Sequence, residues 1–474
     1  MSFSRREFLG ATLASPIALV AQPKPAPTNV LLIAVDDLNN RIACFGDPVV
    51  KTPNIDRLAR RGVRFDRAYC NYPLCSPTRT SLLSGKRPET TQIYNNNTEP
   101  RSQIGDAVML PEYFKKHGYF TARVGKIAHG AYEHVVNWDI SESRAGVALN
   151  AKGGKGQVKD EDSTKAGKGE GGIKLSWTAT NNTDDKEPDG ATARRIVQLI
   201  EQNKSKPFFI ACGFHKPHLP WVAPKKYFDM YSTSQIVLPK TPADDRDDIP
   251  PLALTHTKGD EEMTDEDRKK AVLAYHAATT FMDAQLGLVL DAMDKNKLWD
   301  NTVVVFFGDH GWHLYDHLQL WRKMTVFEEA ARAPLIVHAP KRKENAASPR
   351  LVEYVDLYPT ITELCGLPQA PGMEGTSFTP LLNDPQRQWK KAAYTMVARG
   401  KGQFGRSVRT ERYRYTEWND GKDGVELYDH ENDIHEWTNL GWKQRAPSQK
   451  TSALLDEMKK LLHADKAANL PPKT

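Results

Sequence analysis

A cysteine followed at short spacing by a proline and an arginine is the feature of this chain with the clearest chemistry. The residues are Cys75-Ser76-Pro77-Thr78-Arg79, within the segment CSPTRTSLLSG. Pro77 suits the first turn of a helix because the backbone N–H that it lacks would be unpaired there, and Gly85 predicts where that helix ends. Cys75 is therefore predicted at a helix N-terminus, where free N–H groups and the helix dipole favour an anion. Arg79 can face the same side and bind an oxyanion through its planar guanidinium.

Two pairs of metal-ligating residues follow apolar runs elsewhere in the chain. Asp36-Asp37 comes directly after NVLLIAV, and Asp309-His310 comes soon after TVVVFF. Adjacent carboxylates repel each other and need a counter-charge, which a divalent cation would supply, although such Asp pairs also cap helices. Oxygen-rich ligands favour Ca²⁺ or Mg²⁺, while the imidazole leaves Mn²⁺ or Zn²⁺ open.

Several basic residues lie in short motifs that suit an anionic substrate. These residues are Lys126 and His129 in GKIAH, His215 and His218 in FHKPHLPW, and Lys323 in LWRKMTVF. Each also has an ordinary alternative, such as a lysine whose ammonium reaches solvent or a surface histidine, just as Cys75 could be a buried structural cysteine. These motifs indicate an anion-binding site only if the fold brings them together.

The secondary structure predicted from the sequence does bring them together. Apolar runs predict buried strands at 29–35, 207–213 and 302–307, with further strands in YFTARVGK and from Leu335. Helices are predicted from Thr52-Pro53 to Gly62, over 110–118 and 190–203, and from Thr264 to about Lys295. This alternation indicates a largely parallel sheet with helices on both faces. Ligands gather at the carboxyl ends of such strands, and Asp36, Lys126, His215 and Asp309 all follow strands.

Composition indicates a soluble globular protein with one large and one small domain. The chain has 474 residues, of which 39% are hydrophobic and 26% charged, and its net charge is +6. That charge is too small for the footprint of a nucleic-acid binder, and the mature region has no apolar run that could span a bilayer, so stable membrane insertion is not expected. We expect the main domain at 27–385 and a small antiparallel subdomain with one helix at 386–474, where FGRSVRTERYRYTEW predicts a strand.

Two further segments have distinctive compositions. SRREFLG and the apolar stretch after it resemble a twin-arginine export signal, so residues 1–26 are predicted to be a signal and linker that direct the protein to the periplasm. An ordinary basic N-terminus before a helix is the alternative. Residues 145–188 are rich in Gly, Lys and Asp and are predicted to be a mobile surface insertion, either a solvated loop or a flap over a cleft.

The order of the motifs resembles iduronate-2-sulfatase-like members of the type I, formylglycine-dependent sulfatase family. The matching blocks are DDLN, CSPTR, SGKRPETTQIYNN, GKIAH, GFHKPHLPW, GDHGWHL and ELYDHENDIHEWTNL, which together cover nearly the whole mature chain. One departure is Tyr315, which stands where relatives often carry glycine and which puts strict iduronate specificity in doubt.

The resemblance implies an alkaline-phosphatase-like α/β fold and a complete catalytic site. A maturing enzyme, such as the formylglycine-generating enzyme, would oxidise Cys75 to formylglycine, whose hydrate attacks sulfur to give a sulfated enzyme. Asp36, Asp37, Asp309, His310 and the modified Cys75 would bind a divalent metal, usually Ca²⁺. Arg79, Lys126 and His129 would stabilise the hydrate, while His215 and Lys323 hold the sulfate and His215 protonates the leaving alcohol.

The resemblance therefore implies a sulfuric ester hydrolase acting on a sulfated oligo- or polysaccharide, with uronate 2-O-sulfate as the first candidate. Two alternatives stay open. One is a phosphodiesterase or phosphonate monoester hydrolase of the same superfamily, since some of these also use C-x-P-x-R. The other is a protein that only binds sulfated glycans because its Cys75 is never modified.

Overall fold

The computed structural model describes residues 28–143, 175–255, 263–443 and 448–466. Its strands are β1 (Asn29–Val35), β2 (Val63–Tyr69), β3 (Phe120–Gly125), β4 (Ile140–Glu142), β5 (Trp177–Thr180), β6 (Phe208–Phe214), β7 (Trp221–Pro224), β8 (Thr302–Gly308), β9 (His313–Tyr315), β10 (Leu320–Arg322), β11 (Leu335–His338), β12 (Ala346–Glu353), β13 (Ala393–Arg399), β14 (Gln403–Arg409), β15 (Tyr413–Trp418) and β16 (Val425–Asp429). Its α-helices are α1 (Pro53–Arg60), α2 (Cys75–Ser84), α3 (Pro88–Thr91), α4 (Arg101–Ile104), α5 (Leu110–Lys116), α6 (Pro188–Asn203), α7 (Lys225–Phe228), α8 (Asp265–Lys295), α9 (Asp316–Gln319), α10 (Glu328–Ala331), α11 (Leu357–Leu364), α12 (Thr379–Asn383) and α13 (Gln449–His463).

An eight-stranded sheet with the order β12-β2-β11-β8-β1-β6-β3-β4 forms the centre of the main domain. The strands β8, β1, β6, β3 and β4 are parallel neighbours, so the predicted mostly parallel sheet is confirmed. Strand β11, which begins at the predicted Leu335, runs antiparallel to both of its neighbours. Its apolar sequence predicted a buried strand but carried no information about its direction.

Both faces of this sheet are covered, which explains why its central strands are continuous apolar runs. Every residue of β1, β6 and β8 is buried. Alternate residues of β1 belong to two different cores, as the two-residue period of a strand requires. One core is completed by residues of α1, α6 and α8, and the other by residues of α2, α5 and α11.

The C-terminal subdomain is a four-stranded antiparallel sheet, β13-β14-β15-β16, packed against α13. The predicted antiparallel sheet with one helix is therefore confirmed. The prediction of one strand over FGRSVRTERYRYTEW is wrong, because this segment turns between Arg409 and Tyr413 and forms the hairpin of β14 and β15. The helix α13 begins at Gln449, where the Ser448 side chain accepts a hydrogen bond from the Thr451 N–H.

Two local predictions need correction. Residues 175–188 of the predicted insertion contain β5, which pairs with β7, and a short 3₁₀ helix at Asp184–Lys186; residues 145–174 and the predicted export signal lie outside the described part of the chain. Thr52 does not cap α1. Its hydroxyl accepts from the Ala43 N–H, and the carboxylate of Asp283 on α8 instead accepts from the N–H of Ile55 at 2.7 Å.

No helix in the described residues combines the length and the apolar character needed to cross a membrane.

Gly125 at the end of β3 and Gly213 in β6 let the two strands approach closely just before Lys126. A Cβ atom on Gly125, whose φ is +83°, would lie 2.0 Å from the carbonyl oxygen of Gly213. Gly118 has nearly the same φ, +84°, but a Cβ there would meet no atom within 4 Å. Comparing substitutions at Gly125 and Gly118 therefore distinguishes the cost of steric overlap from the cost of backbone strain.

We expect Gly125→Ala to destabilise the protein more than Gly118→Ala. The left-handed backbone costs each variant roughly 1–2 kcal/mol, and the overlap at Gly125 adds about 1–3 kcal/mol. Urea unfolding of both variants against the parent measures the difference. Equal losses of unfolding free energy would show that the two strands do not constrain position 125.

Candidate active site

The candidate residues meet at the carboxyl ends of four neighbouring strands. Asp36 and Asp37 follow β1, Lys126 follows β3, His215 follows β6, and Asp309 and His310 follow β8. All of these side chains are buried, with exposed fractions of at most 7%. Cys75 is the first residue of α2 and is fully buried, and Arg79 lies one turn further along the same helix.

Arg79 ties these strand ends together. Its Nε donates to Asp309 Oδ2 at 2.8 Å, and its Nη2 lies 3.4 Å from Asp36 Oδ1. Its Nη1 donates to the backbone carbonyls of Lys126 and Ile127, at 2.7 and 3.1 Å. The side chain is 1% exposed, so its charge is neutralised by buried carboxylates and not by water.

The thiol of Cys75 lies among charged groups from three segments. Its Sγ is 3.4 Å from His310 Nε2, 3.2 Å from Lys323 Nζ and 4.0 Å from Asp37 Oδ1. Burial, followed by the negative charge of Asp36, raises the pKa of this thiol well above its usual value. An unmodified Cys75 is therefore a protonated thiol and a weak nucleophile.

The carboxylates are arranged to hold a cation. Ligand atoms of Asp36, Asp37 and Asp309 lie within 4.8 Å of one another, and so do those of Asp37, Cys75 and His310. Asp37 Oδ2 is buried without a hydrogen-bond partner, an arrangement that costs free energy unless another group binds there. Oxygen-rich donors with one imidazole fit a hard divalent ion.

Basic residues surround the same carboxylates. Lys126 Nζ donates to Asp36 Oδ2 at 2.7 Å, and His215 Nδ1 lies 3.4 Å from that oxygen. Lys323 Nζ donates to Asp37 Oδ1, also at 2.7 Å. Burial alone would raise the pKa of Asp36, but Lys126, with His218, His215 and Arg79, holds this pKa well below its usual value.

The structure thus joins nine of the predicted site residues in one network of contacts: Asp36, Asp37, Cys75, Arg79, Lys126, His215, Asp309, His310 and Lys323. His129 is 6% exposed, and its ring centroid lies 6.4 Å from that of Tyr132. These contacts place the residues; their catalytic roles remain predictions.

Three other residues shape the site and were not assigned to it from the sequence. His218 was noted in its motif, and its Nε2 lies 3.7 Å from Asp37 Oδ2 while its ring lies 4.7 Å from that of His215. Asp189 on α6 accepts from the backbone N–H groups of His215 and Lys216, at 2.9 and 2.8 Å. Tyr275 on α8 donates to the Asp37 carbonyl at 2.8 Å. Only His218, three residues after His215, had a local sequence signal.

The mostly parallel sheet with helices on both faces and the small antiparallel C-terminal sheet define an alkaline-phosphatase-like fold. More specifically, the chain belongs to the sulfatase family of sulfuric ester hydrolases, because the family description "Sulfatase" matches residues 28–367. The description "N-sulphoglucosamine sulphohydrolase, C-terminal" matches residues 308–466. The family prediction made from the ordered motifs is confirmed.

Relatives agree with this family assignment, and solved structures agree with the fold. A protein named "Sulfatase" from Formosa agariphila is 34% identical over 426 residues, which cover 87% of this chain and 82% of the relative. Iduronate 2-sulfatase of Mus musculus is 33% identical over 398 residues, covering 74% and 71%. The phosphonate monoester hydrolase of Agrobacterium radiobacter has a similar fold, with a TM-score of 0.75, 20% identity and coverage of 94% and 96%. A structure described as a 2-O GAG sulfatase gives a TM-score of 0.69, with 23% identity and coverage of 92% and 91%.

We expect Arg79→Met to destabilise the protein strongly, because it leaves Asp36 and Asp309 as buried carboxylates without their shared counter-charge. Breaking a buried ion pair in this way costs roughly 3–5 kcal/mol. Arg57→Met is the matched control, since Arg57 pairs with Asp291 and Asp294 on the surface and exposed pairs contribute about 0–1 kcal/mol. Urea unfolding with a metal chelator present measures both. Similar losses in the two variants would contradict the role assigned to Arg79.

Proposed function

We propose that this protein removes sulfate from a sulfated glycan, with a uronate 2-O-sulfate as the first candidate substrate. The observation that carries the proposal is the position of Cys75, which lies at the N-terminus of α2 against His310 and Lys323 in a cation-rich pocket. Membership of the sulfatase family supports the reaction class. The names of the iduronate 2-sulfatase and 2-O GAG sulfatase relatives support the choice of substrate.

Cys75 is proposed to be converted to formylglycine by a sulfatase-maturing enzyme. The hydrated aldehyde would supply an oxygen nucleophile that the thiol lacks. The position of Cys75 beside Lys323 and His310 supports this conversion, because these groups would lie around the hydrated aldehyde. The N–H groups of Ser76 and Thr78 already donate to Asn96 Oδ1 and to the Leu74 carbonyl, so it is the dipole of α2 that favours negative charge at this position.

Asp36, Asp37, Asp309 and His310, together with residue 75, would hold a divalent metal, with Ca²⁺ favoured by the oxygen donors. When bound, such an ion would polarise a sulfate oxygen and favour the ionised nucleophile. The buried Asp37 Oδ2 without a hydrogen-bond partner supports a cation at this position.

The remaining side chains bind and orient the reacting groups. Lys323, next to Cys75 Sγ, is placed to neutralise the sulfate, while Lys126, Arg79 and His129 stabilise charge around residue 75. Asp36 lies 3.4 Å from His215 Nδ1, so Nε2 is the nitrogen of His215 that can donate a proton to the leaving alcohol. Asp189 accepts from the backbone N–H of His215 and so holds the loop that carries this imidazole.

A phosphodiester or phosphonate monoester hydrolase is the second candidate, and the TM-score of 0.75 to such an enzyme is the observation that favours it. A tetrahedral anion fits the same cationic pocket in either case, and one fold can host both reactions.

We expect the catalytic efficiency to be higher for sulfate esters than for phosphodiesters. The measurement is kcat/KM on matched aryl sulfate and aryl phosphodiester substrates, followed by product analysis on defined sulfated oligosaccharides. Uronate 2-O-sulfates should be the most rapidly desulfated members of that panel. Faster turnover of the phosphodiester would instead establish the second candidate.

We expect the peptide that contains Cys75 to carry an aldehyde in protein from its native host, and Cys75→Ala to abolish turnover while the variant still folds. Because the N-terminus resembles a twin-arginine signal, which exports folded proteins, we also propose a periplasmic location with conversion before export. Mass spectrometry of the cytoplasmic precursor and of the exported protein tests both points. An intact thiol in the exported protein would favour a protein that only binds glycans, and an intact thiol in the precursor alone would contradict early conversion.

A further inference from the structure

A second concave region lies between the main domain and the C-terminal subdomain. It is a cleft of about 770 Å³, lined by the loops that follow β1 and β8 on one side and by residues after β16 on the other. Within the described part of the chain, its lining includes none of the residues assigned above to catalysis or to the metal. The cleft is therefore separate from the pocket of Cys75.

The rim of this cleft is aromatic and apolar. The rings of His435 and Trp437 are stacked, with centroids 4.6 Å apart and planes 19° apart. Ile434 and Val237, which also line the cleft, have exposed fractions of 62% and 73%. Flat rings at a surface are suited to the C–H face of a sugar, which is apolar although the ring edge carries hydroxyl groups.

Basic and acidic side chains of the cleft nearly balance each other. Arg41 Nη2 lies 2.9 Å from Asp316 Oδ1, and Arg332 Nε lies 3.3 Å from Glu328 Oε1. Arg409 Nε lies 3.6 Å from the other oxygen of Glu328. Among the described residues, five basic side chains and four carboxylates line the cleft in all, so its net charge is small and charge alone gives a sulfate group little reason to bind there.

Six of the described lining residues nevertheless keep polar atoms that are buried without a hydrogen-bond partner: Trp312 Nε1, Asn40 Oδ1, Glu329 Oε2, His317 Nε2, Arg332 Nε and Arg409 Nε. Trp312 is 2% exposed, so its indole N–H is a donor that the fold itself does not satisfy. Asn40 Nδ2 donates to the Arg332 carbonyl, which fixes the amide and leaves its oxygen as an acceptor. A ligand with hydroxyl groups, each both donor and acceptor, matches this set.

We propose that the cleft is a second carbohydrate site, which binds an uncharged pyranose face of the glycan away from the sulfate that is removed. Trp312 links the two sites, because Lys323 Nζ lies 5.4 Å from the centre of its ring. The cleft would hold a polymeric substrate close to the enzyme while the catalytic pocket binds the sulfated residue. The proposal rests on the proposed function only for the identity of the glycan.

The test compares Trp437→Ala with Trp442→Ala, a half-buried tryptophan of the same subdomain that does not line the cleft. The probe is a chemically desulfated, N-acetylated and carboxyl-reduced heparin hexasaccharide, which carries no charge, and its affinity is measured by calorimetry in the full-length protein. We expect Trp437→Ala to weaken binding about tenfold or more through loss of the ring contact, and Trp442→Ala to leave it unchanged. His435→Ala should give a smaller loss, and thermal unfolding checks that each variant is folded.

Kinetic measurements distinguish binding in the cleft from catalysis in the pocket of Cys75. Trp437→Ala should raise KM for a sulfated hexasaccharide without changing its kcat, and should leave both constants for a small aryl sulfate as in the parent. Binding of the desulfated probe should persist in Cys75→Ala and with excess inorganic sulfate.

Each failure has a distinct signature. Absence of saturable binding by the parent, equal affinity in Trp437→Ala and the parent, or displacement of the probe by sulfate would overturn the second site while leaving sulfatase activity intact. Binding that depends on Trp437 in a protein without sulfatase activity would refute the proposed function and support the cleft.

Discussion

The site depends on one buried guanidinium. Arg79 extends from α2 and contacts groups that follow three different strands: Asp36 after β1, Lys126 and Ile127 after β3, and Asp309 after β8. Buried carboxylates lose their hydration and remain ionised only beside compensating charge. A planar group with several donors in fixed directions can satisfy partners from separate strands at once, which a lysine ammonium cannot do with the same geometry. Because Cys75 lies on the same helix as Arg79, the contacts of Arg79 also fix the position of Cys75 beside Lys323.

The order of the strands brings the other site residues to the edge of the sheet where Arg79 lies. The strands β8, β1, β6 and β3 are consecutive neighbours, so residues that lie far apart in the chain end at one edge of the sheet. The absence of side chains at Gly125 and Gly213 allows the backbone after β3 to pass close to β6. The exclusion of water that follows strengthens every charge interaction in the pocket.

Much of the strand-end geometry could be predicted from the sequence, because buried parallel strands are apolar runs and polar residues follow them directly. The residues that support the site were harder to predict. Tyr275 contacts the Asp37 carbonyl across 238 positions of the chain, and Asp189 holds the His215 loop from the start of α6. Neither contact is indicated by a local pattern in the sequence. The same limit explains α1, whose N-terminal N–H groups are satisfied by Asp283 from α8 instead of by the adjacent Thr52. The direction of β11 depends on its neighbours and not on its own composition.

The segment that presents Lys323 shows how the fold offsets local strain at this site. Positive φ angles occur in this segment at Tyr315, His317, Leu318, Gln319, Arg322 and Met324, and each such residue costs about 1–3 kcal/mol. Side chains from elsewhere hold the segment: Arg246 Nε donates to the His317 carbonyl and Arg399 Nη2 to the Met324 carbonyl, both at 2.8 Å.

Tyr315 has a φ of +72°, a conformation that glycine adopts at little cost and a tyrosine does not. In this chain the Tyr315 ring instead gains contacts, with the Arg268 guanidinium 4.2 Å from its centroid and the Trp321 ring 6.3 Å away. The tyrosine thus helps to pack the segment against α8. These contacts of the Tyr315 ring offset the strain of its left-handed backbone.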